Sequence, residues 1–450
     1  MSKYTPVIGL EVHVELKTKS KMFCSCSADY FGKTPNSDTC PVCLGLPGAL
    51  PVPNKLAIEW CIKIALALDC KINEFSKFDR KNYFYPDLSK GYQISQYDLP
   101  FGYDGAIELK SGKRIRIRRV HMEEDTGKLS HQEIDGKKVS LIDFNRSGVP
   151  LVEIVTEPDF DNATDVKEYL ERLQQTVRYL DVAHADMDKG EMRLEPNISL
   201  WLNNGKTKPA ILPEKDLPNY KVEVKNINSF KFVEKAINYE IERQEELLEN
   251  GERPAQETRG WNEDKQKTFS QRSKEDAMDY RYFPEPDIPP IVHTQSEISN
   301  LLKQVPELSD KKCKRFEKEY TLSSYDAEIL TREKGLADFF EESVKRNTQS
   351  SVDPKAIANW IINKKVDYAK TNPDELIKQI TAAKQVAQID EKELHKLIDE
   401  VIKENDKAVT DYKSGKDSVI MFLLGQTMKK IGKKVDTQLV KRQLEQNLQK

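Results

Sequence analysis

The chain has 450 residues, of which 38% are hydrophobic and 32% charged, and its formal net charge at pH 7 is −3. This length and apolar fraction predict a folded protein of two or three domains and exclude a disordered chain. The small net charge gives no overall sign of nucleic-acid binding, although a local basic patch would suffice for it. Met1 to Lys3 lead directly into the first predicted strand, and no apolar run approaches the roughly 18 residues of a membrane span. We therefore expect a soluble, cytoplasmic protein without a signal peptide or a membrane partner.

Roughly the first 290 residues predict an α+β body, because strand-like and helix-like patterns alternate there. Period-two alternation of apolar residues predicts strands at 9–16, 114–122 and 150–157. Apolar residues three and four apart predict helices at 54–68, 165–180 and 229–251. Asn54 and Ser229 are suitable N-caps, and Gly251 is a suitable stop signal for the third helix.

The pattern changes at "YFPEPDIPPI", residues 282–291, because its four prolines cannot continue a helix or a central strand. Beyond this stretch the chain is rich in Lys and Glu and predominantly helix-forming. Asp353 is a predicted N-cap followed by Pro354 at the first helical position, and residues 418–431 and 437–448 predict the last helices. We expect an α+β domain at 1–293, a helical domain at 294–385 and a small helical tail domain at 386–450.

Four of the seven cysteines are grouped near the start of the chain. They form two close pairs, separated by thirteen residues rich in Ser, Asp, Pro and Gly. Two such pairs on turns can place four thiolates around Zn²⁺ in a structural site. The alternative is a set of buried free thiols, but buried cysteines rarely cluster on turns of this kind. An odd total without a secretion signal argues against a disulfide framework. The predicted zinc ligands are Cys24, Cys26, Cys40 and Cys43.

Carboxylates and histidines recur on the polar faces or at the ends of the predicted strands. Glu11 and His13 alternate with aliphatic residues in "GLEVHVEL", "VHMEEDTG" contributes Glu123, and "VPLVEIVTEPD" contributes Glu153. Arg193 and Glu195 alternate with apolar residues in "KGEMRLEPNIS". Each segment by itself is compatible with a solvated strand face. Taken together, they are typical of an enzyme site that binds Mg²⁺ and a phosphorylated substrate.

A polar-aromatic stretch, "FDRKNYFYPD" at 78–87, interleaves basic residues with tyrosines. The segment "DYRYFPEPD" at 279–287 has a similar mixture of aromatic and charged residues. Aromatic rings beside basic groups can stack on bases or on adenine. The alternative is a proline-bounded loop that packs its rings inward, and the residues leave both interpretations open. The chain has no Walker-type, Rossmann, GxSxG or HExxH motif, so an ATP site here would be of an unfamiliar kind.

Several long segments closely resemble the family of B subunits of the aspartyl/glutamyl-tRNA amidotransferases. They include "VIGLEVHVELKTKSKMF", "CPVCLGLPGALPVPN", "KFDRKNYFYPDLSKGYQISQYDLP", "HMEEDTGK", "DFNRSGVPLVEIVTEPD", "VEVKNINSF" and "DYRYFPEPDIPP". The resemblance extends through nearly all of the first 290 or so residues and resumes at "DYKSGKDSVIMFLLGQTMKK". Motifs this long, in this order, are highly specific.

The resemblance implies a cradle-like catalytic domain with a mixed or antiparallel sheet, followed by a helical domain and a helical tail that contacts tRNA. It implies a heterotrimer with a glutaminase A subunit and a C subunit. The chain would use ATP and Mg²⁺ to phosphorylate the side-chain carboxylate of misacylated glutamyl-tRNA, and possibly of aspartyl-tRNA. Ammonia from the A subunit would then displace phosphate to give glutaminyl-tRNA or asparaginyl-tRNA. Seven basic residues against two acidic ones at 421–450 suit contact with tRNA phosphates, although a solvated basic face is an alternative.

The resemblance also assigns residues. The expected Mg²⁺ ligands are Glu11, His13, Glu123 and Glu153, with Arg193 and Glu195 beside them in the catalytic site. The residues expected to contact ATP or the aminoacyl end of the tRNA are Lys81, Asn82, Tyr83 and Tyr85.

Two other functions fit parts of the sequence. A zinc-containing tRNA-binding module without catalysis would need no clustered acids, which count against it. A self-sufficient ATP-dependent kinase or ligase would need its own source of ammonia if it formed an amide, and the chain has no glutaminase signature.

Overall fold

The computed structural model describes residues 3–203, 205, 208–209, 211–273, 280–347, 352–384, 390–432 and 435–449. The chain divides into two compact units, Met1–Lys312 and Cys313–Lys450. The predicted domain boundary between residues 385 and 386 lies outside the described residues. The division into three domains therefore remains a prediction.

The first unit is built on a mostly antiparallel sheet. Its strands, and those of three smaller sheets, are β1 (Tyr4–Glu15), β2 (Lys71–Ile72), β3 (Phe75–Ser76), β4 (Asp79–Asn82), β5 (Tyr92–Ser95), β6 (Gly102–Glu108), β7 (Arg114–Glu124), β8 (Lys128–Ile134), β9 (Lys137–Asp143), β10 (Pro150–Thr156), β11 (Met192–Leu202), β12 (Val222–Lys225), β13 (Glu257–Asn262), β14 (Lys267–Ser273), β15 (Phe283–Pro284) and β16 (Ile291–Val292). The large sheet has the order β14-β13-β12-β11-β1-β10-β7-β6-β2, and β12 and β13 are its parallel pair. The first predicted strand is therefore central to the sheet.

The helices of this unit are α1 (Lys55–Ala67), α2 (Ala163–Tyr179), α3 (Phe230–Glu249) and α4 (Gln295–Lys303). The side chains of Asn54 and Ser229 accept hydrogen bonds from the first turns of α1 and α3, as their residue types predict. Helix α2 begins two residues earlier than predicted, because Asn162 caps it by accepting a hydrogen bond from the backbone N–H of Asp165. Gly251 follows α3 with φ of +78°, a conformation that glycine adopts without steric cost.

The two faces of β1 have different environments. Leu10, Val12 and Val14 are almost fully buried in a core that also contains residues of α1, α2 and α3. Glu11 and His13 lie on the opposite face, because successive side chains of a strand alternate. The helices thus cover the apolar face of the sheet and leave its polar face available for a site.

The second unit is helical. Its helices are α5 (Ser309–Glu319), which begins just before the boundary, α6 (Ser324–Leu330), α7 (Lys334–Arg346), α8 (Pro354–Lys364), α9 (Pro373–Lys384), α10 (Glu391–Glu404), α11 (Asp406–Lys413), α12 (Val419–Ile431) and α13 (Thr437–Gln449). Asp353 caps α8 and Pro354 occupies its first turn, as predicted. The α+β fold class with a helical C-terminal region is confirmed. None of the helices in the described part of the chain is long and apolar enough to cross a membrane.

Candidate functional site

The strand register brings predicted site residues into one row across the large sheet. His13 on β1 pairs with Glu153 on β10, and Glu153 pairs with His121 on β7. On the other side of β1, His13 pairs with Arg193 on β11. Four neighbouring strands therefore contribute side chains to the same stretch of the polar face.

His13, Glu123 and Glu153 form a compact group that could hold a metal ion. One ligand atom from each of them lies within 4.8 Å of the others. His13 Nε2 is 3.5 Å from Glu153 Oε2, and His121 Nε2 is 3.1 Å from the same oxygen and 3.3 Å from Glu123 Oε1. Two carboxylates and a nitrogen at this spacing suit a divalent cation. We call His13, His121, Glu123 and Glu153 the histidine–glutamate cluster.

Opposite charges in this cluster shift the pKa values of its histidines and glutamates. Burial disfavours the imidazolium of His13, but the hydrogen bond and the charge of Glu153 outweigh burial and raise the pKa of His13 to about 9. Burial also opposes ionisation of Glu153, yet the neighbouring histidines hold its pKa well below the usual range. His13 could ligate a metal ion only as the neutral imidazole, so cation binding here would release a proton.

Lys81 and strand β5 hold Glu123 in place. The carboxylate of Glu123 accepts hydrogen bonds of 2.9 Å from both the Gln93 amide and the Ser95 hydroxyl, and Lys81 Nζ lies 3.6 Å from it. Burial disfavours the Lys81 ammonium, but the Glu123 and Glu153 carboxylates outweigh burial and raise its pKa. A lysine that stays charged beside an acidic cluster can attract a phosphate.

Glu11 lies in a different group from the other three expected Mg²⁺ ligands. It pairs with Glu195 across β1 and β11, and one oxygen each of Glu11, Glu195 and Glu223 lies within 4.8 Å of the others. Lys225 Nζ is 2.9 Å from Glu195, and the Asn197 amide donates a 3.0 Å hydrogen bond to Glu11. The structure thus places two candidate cation sites side by side on this face.

The other predicted site residues are Arg193, Tyr83, Asn82 and Tyr85, and they belong to neither of the two candidate cation sites. Arg193 pairs with His13 in the strand register, but its ion-pair partner is Asp125, outside the histidine–glutamate cluster, and it lies 3.7 Å from Glu15. The Tyr83 hydroxyl bonds to Gln93 at 3.2 Å and so contacts the cluster indirectly. Asn82 donates to the backbone carbonyl of Arg281 at 2.9 Å, and Tyr85 is 54% exposed on a loop.

Several site residues were missed by sequence reasoning. His121 lies two residues before Glu123 in "VHMEEDTG", a segment that the sequence marked as rich in acids and histidine, but His121 was not assigned to the site. Glu223, Gln93 and Ser95 reach the site through strand pairing and packing, and no local pattern marks them.

The four predicted zinc ligands lie together. One sulfur from each of Cys24, Cys26, Cys40 and Cys43 lies within 4.8 Å of the others. A hydrogen bond with Cys24, partly opposed by burial, lowers the pKa of Cys43 to about 4, and the Lys21 ammonium contributes to the same shift. The cysteine cluster could therefore hold a metal such as zinc.

Lys21 gives independent support for a metal at the cysteines. Its side chain is fully buried, and among the described residues its ammonium makes no ion pair with a carboxylate. Its acceptors are the backbone carbonyls of Asp38 and Phe144, at 2.9 and 3.3 Å, and Cys43 Sγ at 3.6 Å. A buried cation needs compensating negative charge, and four zinc-bound thiolates would supply it.

Comparison with known proteins gives consistent matches. The family model described as "GatB/GatE catalytic domain" matches residues 6–299, and the one described as "GatB domain" matches residues 350–448. Relatives from Thermotoga petrophila and Carboxydothermus hydrogenoformans are 44% identical, over alignments that cover 99% and 100% of each chain, respectively. A relative from Thermomicrobium roseum is 43% identical with 99% coverage of each chain. All three carry the name of the B subunit of an aspartyl/glutamyl-tRNA(Asn/Gln) amidotransferase.

Proposed function

The chain belongs to the family of aspartyl/glutamyl-tRNA(Asn/Gln) amidotransferase B subunits, and we propose that it activates the side-chain carboxylate of a misacylated tRNA for amidation. The substrates are glutamyl-tRNA or aspartyl-tRNA together with ATP. The products are glutaminyl-tRNA or asparaginyl-tRNA, with ammonia supplied by a glutaminase A subunit in a complex that also contains a C subunit. The helical tail contacts the tRNA.

The need for ATP follows from the chemistry of the carboxylate. Ammonia cannot displace oxide or hydroxide from a carboxylate at a useful rate, because both are poor leaving groups. Transfer of the γ-phosphoryl group to a carboxylate oxygen breaks the bond to ADP and creates an acyl phosphate. Ammonia then attacks the acyl carbon, and inorganic phosphate leaves. Such a transfer depends mainly on positioning and on neutralisation of charge.

The histidine–glutamate cluster is the single observation that best supports this proposal. Glu123, Glu153 and deprotonated His13 would hold Mg²⁺, while Glu11 and Glu195 line the neighbouring acidic group. When bound, Mg²⁺ supplies positive charge that phosphate oxygens can share. A passive tRNA-binding surface gains nothing from buried carboxylates.

The protein side chains around the cluster have separate parts in the proposed reaction. Lys81 would face the phosphates of ATP from the edge of the cluster, Tyr83 bonds to Gln93 beside Glu123, and Asn82 holds the backbone carbonyl of Arg281. Arg193 holds Asp125 and Glu15 at the border of the site. Tyr85 is exposed and is available to the aminoacyl end of the tRNA.

We assign a structural Zn²⁺ to Cys24, Cys26, Cys40 and Cys43. The four thiolates leave no open position for substrate, which distinguishes a structural zinc site from a catalytic one. Asn36, between the two cysteine pairs, donates 3.0 and 3.1 Å hydrogen bonds to Asp143 and Ile142 at the end of β9. Zinc would therefore fix this loop against the end of the β8–β9 hairpin.

Reconstitution with the A and C subunits tests the proposed function. The complex receives glutamyl-tRNA or aspartyl-tRNA with glutamine, Mg²⁺ and ATP, and the amidated aminoacyl-tRNA is measured. We expect product only when both ATP and this chain are present. Tight tRNA binding without ATP cleavage on either substrate would instead indicate a tRNA-binding module without catalysis.

A further inference from the structure

Strand β7 contains a bulge beside the histidine–glutamate cluster. Val155 of β10 pairs with Arg119, but the next residue, Thr156, pairs with Ile117, so Arg118 is an extra residue on β7. Ile117 and Val120 are both buried in the core although they are three residues apart. In a regular strand such residues would point to opposite faces, so the side chains change face between them, at the bulge. A bulge re-aims the side chains that follow it. Arg119 consequently lies on the same face as His121 rather than on the core face.

Strand pairing places Arg119 beside the histidine–glutamate cluster, with Val155 of β10 between it and Glu11 of the second candidate site. Arg119 pairs with Val155, which pairs in turn with Glu11. Arg119 is two residues from His121 on β7, and Val155 is two residues from Glu153 on β10, so these residues form neighbouring rows on the same face of the sheet. The hydroxyl of Tyr282 is within electrostatic range of Lys81, Glu123, Glu153 and Arg119. Arg119 therefore lies on the polar face of the sheet, near the cluster and near Tyr282.

Three other cations of this face are already paired with carboxylates. Lys81 lies 3.6 Å from Glu123, Lys225 lies 2.9 Å from Glu195, and Arg193 forms an ion pair with Asp125.

Arg119 differs from them. Within the described part of the chain its guanidinium has neither an ion pair nor a hydrogen bond, and its Nε is buried without a partner. A buried donor without an acceptor is unfavourable, and an anionic ligand would satisfy it.

We propose that Arg119 binds an oxyanion of the reacting pair, an inference that rests on the proposed function. Its guanidinium can donate two parallel hydrogen bonds to two oxygens of one carboxylate or phosphoryl group. The oxyanion belongs either to the γ-phosphoryl group of ATP or to the side-chain carboxylate of the aminoacyl-tRNA. In either case Arg119 brings positive charge to the place where two anions must approach each other.

The test compares Arg119→Gln and Arg119→Lys with Arg118→Gln in the reconstituted complex. Arg118 is a matched control, because it is the adjacent arginine and pairs with Glu157 on the exterior. ATP and glutamyl-tRNA are varied separately, with ammonium in place of glutamine. We expect Arg119→Gln to lower kcat/KM by roughly 100-fold, Arg119→Lys to lower it less, and Arg118→Gln to leave it unchanged.

The KM values distinguish the two oxyanions. A larger KM for ATP assigns Arg119 to the phosphoryl group, and a larger KM for glutamyl-tRNA assigns it to the carboxylate. Glutaminase activity and thermal melting of each variant complex show that it is folded and assembled. A folded Arg119→Gln complex with native kcat and KM values for both substrates would overturn the assignment. Absence of product with the native chain would overturn the proposed function, and the Arg119 assignment with it.

Discussion

His13 Nε2 lies 3.5 Å from Glu153 Oε2, across the pairing of two neighbouring strands, with both side chains on the polar face of the sheet. Residues fixed on central strands hold their geometry better than residues on loops. This relationship joins two segments 140 positions apart in the sequence, and the candidate Mg²⁺ site depends on it.

His13→Ala tests the part of His13 in that site. Loss of one metal ligand removes several kcal/mol of charge stabilisation, so tRNA-dependent ATP cleavage should fall by roughly 100-fold or more. Assembly with the A and C subunits, measured by gel filtration, should be unchanged. His131→Ala on the exposed β8–β9 hairpin is the control. Native ATP cleavage by His13→Ala would remove His13 from the mechanism.

Cys43→Ser tests the zinc assignment. Because a structural zinc ion needs four ligands, the variant should retain far less zinc than the native chain. The native chain, purified without added zinc, should contain about one equivalent by elemental analysis. Cys313→Ser, outside the cluster, should keep its full metal content. A native chain with well under one equivalent would contradict the assignment.

Glu285→Ala tests a buried ion pair that fastens β15 to β4. Glu285 is fully buried and accepts two hydrogen bonds from Arg80, at 2.6 and 2.8 Å. Removing Glu285 leaves Arg80 with only the more distant and partly exposed Asp287, so the free energy of unfolding should fall, by at most about 3–5 kcal/mol.

Asp287 provides the matched control, because it is partly exposed and lies 3.5 Å from the same arginine. Asp287→Asn should change the free energy of unfolding by less than about 1 kcal/mol. Urea unfolding is followed by tryptophan fluorescence in a Trp360→Phe background, which leaves the tryptophans of the first unit as reporters. Equal destabilisation by both variants would contradict this account.

His293 predicts a pH dependence of stability. Burial lowers the pKa of His293, and the centroid of its ring lies 5.9 Å from that of Phe101. Its Nε2 is buried without a hydrogen-bond partner among the described residues. As pH falls below about 6.5, the unfolded chain takes up a proton that folded His293 resists. The free energy of unfolding should therefore decrease as pH falls from about 6.5 through the folded pKa.

The measurement is the difference in unfolding free energy between pH 7.5 and pH 5 for the native chain and for His293→Gln. We expect a smaller loss of stability in the variant, because glutamine has no proton to gain. The same loss in both proteins would show that His293 does not contribute.

The sequence predicted the elements of the site better than their arrangement. Alternation correctly predicted β1 and the separation of Glu11 and His13 from the aliphatic face, because strand periodicity is local. Register is a long-range property. Pairing places Glu195 opposite Glu11 but Glu153 opposite His13, and so divides an expected single group of ligands into two.

The same limit applies to the aromatic stretches. Phe283 pairs with Arg80, although about two hundred residues separate them, and no local pattern indicates this contact. The bulge that re-aims Arg119 does leave a trace in "RIRIRRVHM", because the adjacent Arg118 and Arg119 interrupt the alternation, but the sequence alone does not show what Arg119 then faces. By contrast, the cysteine pairs were identifiable because metal ligands occur at characteristic short spacings.

Phosphoryl transfer by a Glu153→Gln complex tests the central claim most directly. A single turnover with γ-labelled ATP and glutamyl-tRNA, without glutamine or ammonium, measures label transferred to the aminoacyl-tRNA. Glu157→Gln, four residues along and paired with Arg118 on the exterior, is the control. We predict transfer by the native and Glu157→Gln complexes and almost none by Glu153→Gln, with tRNA binding retained in all three. Transfer by Glu153→Gln at the native rate would contradict the location of the reaction at the histidine–glutamate cluster.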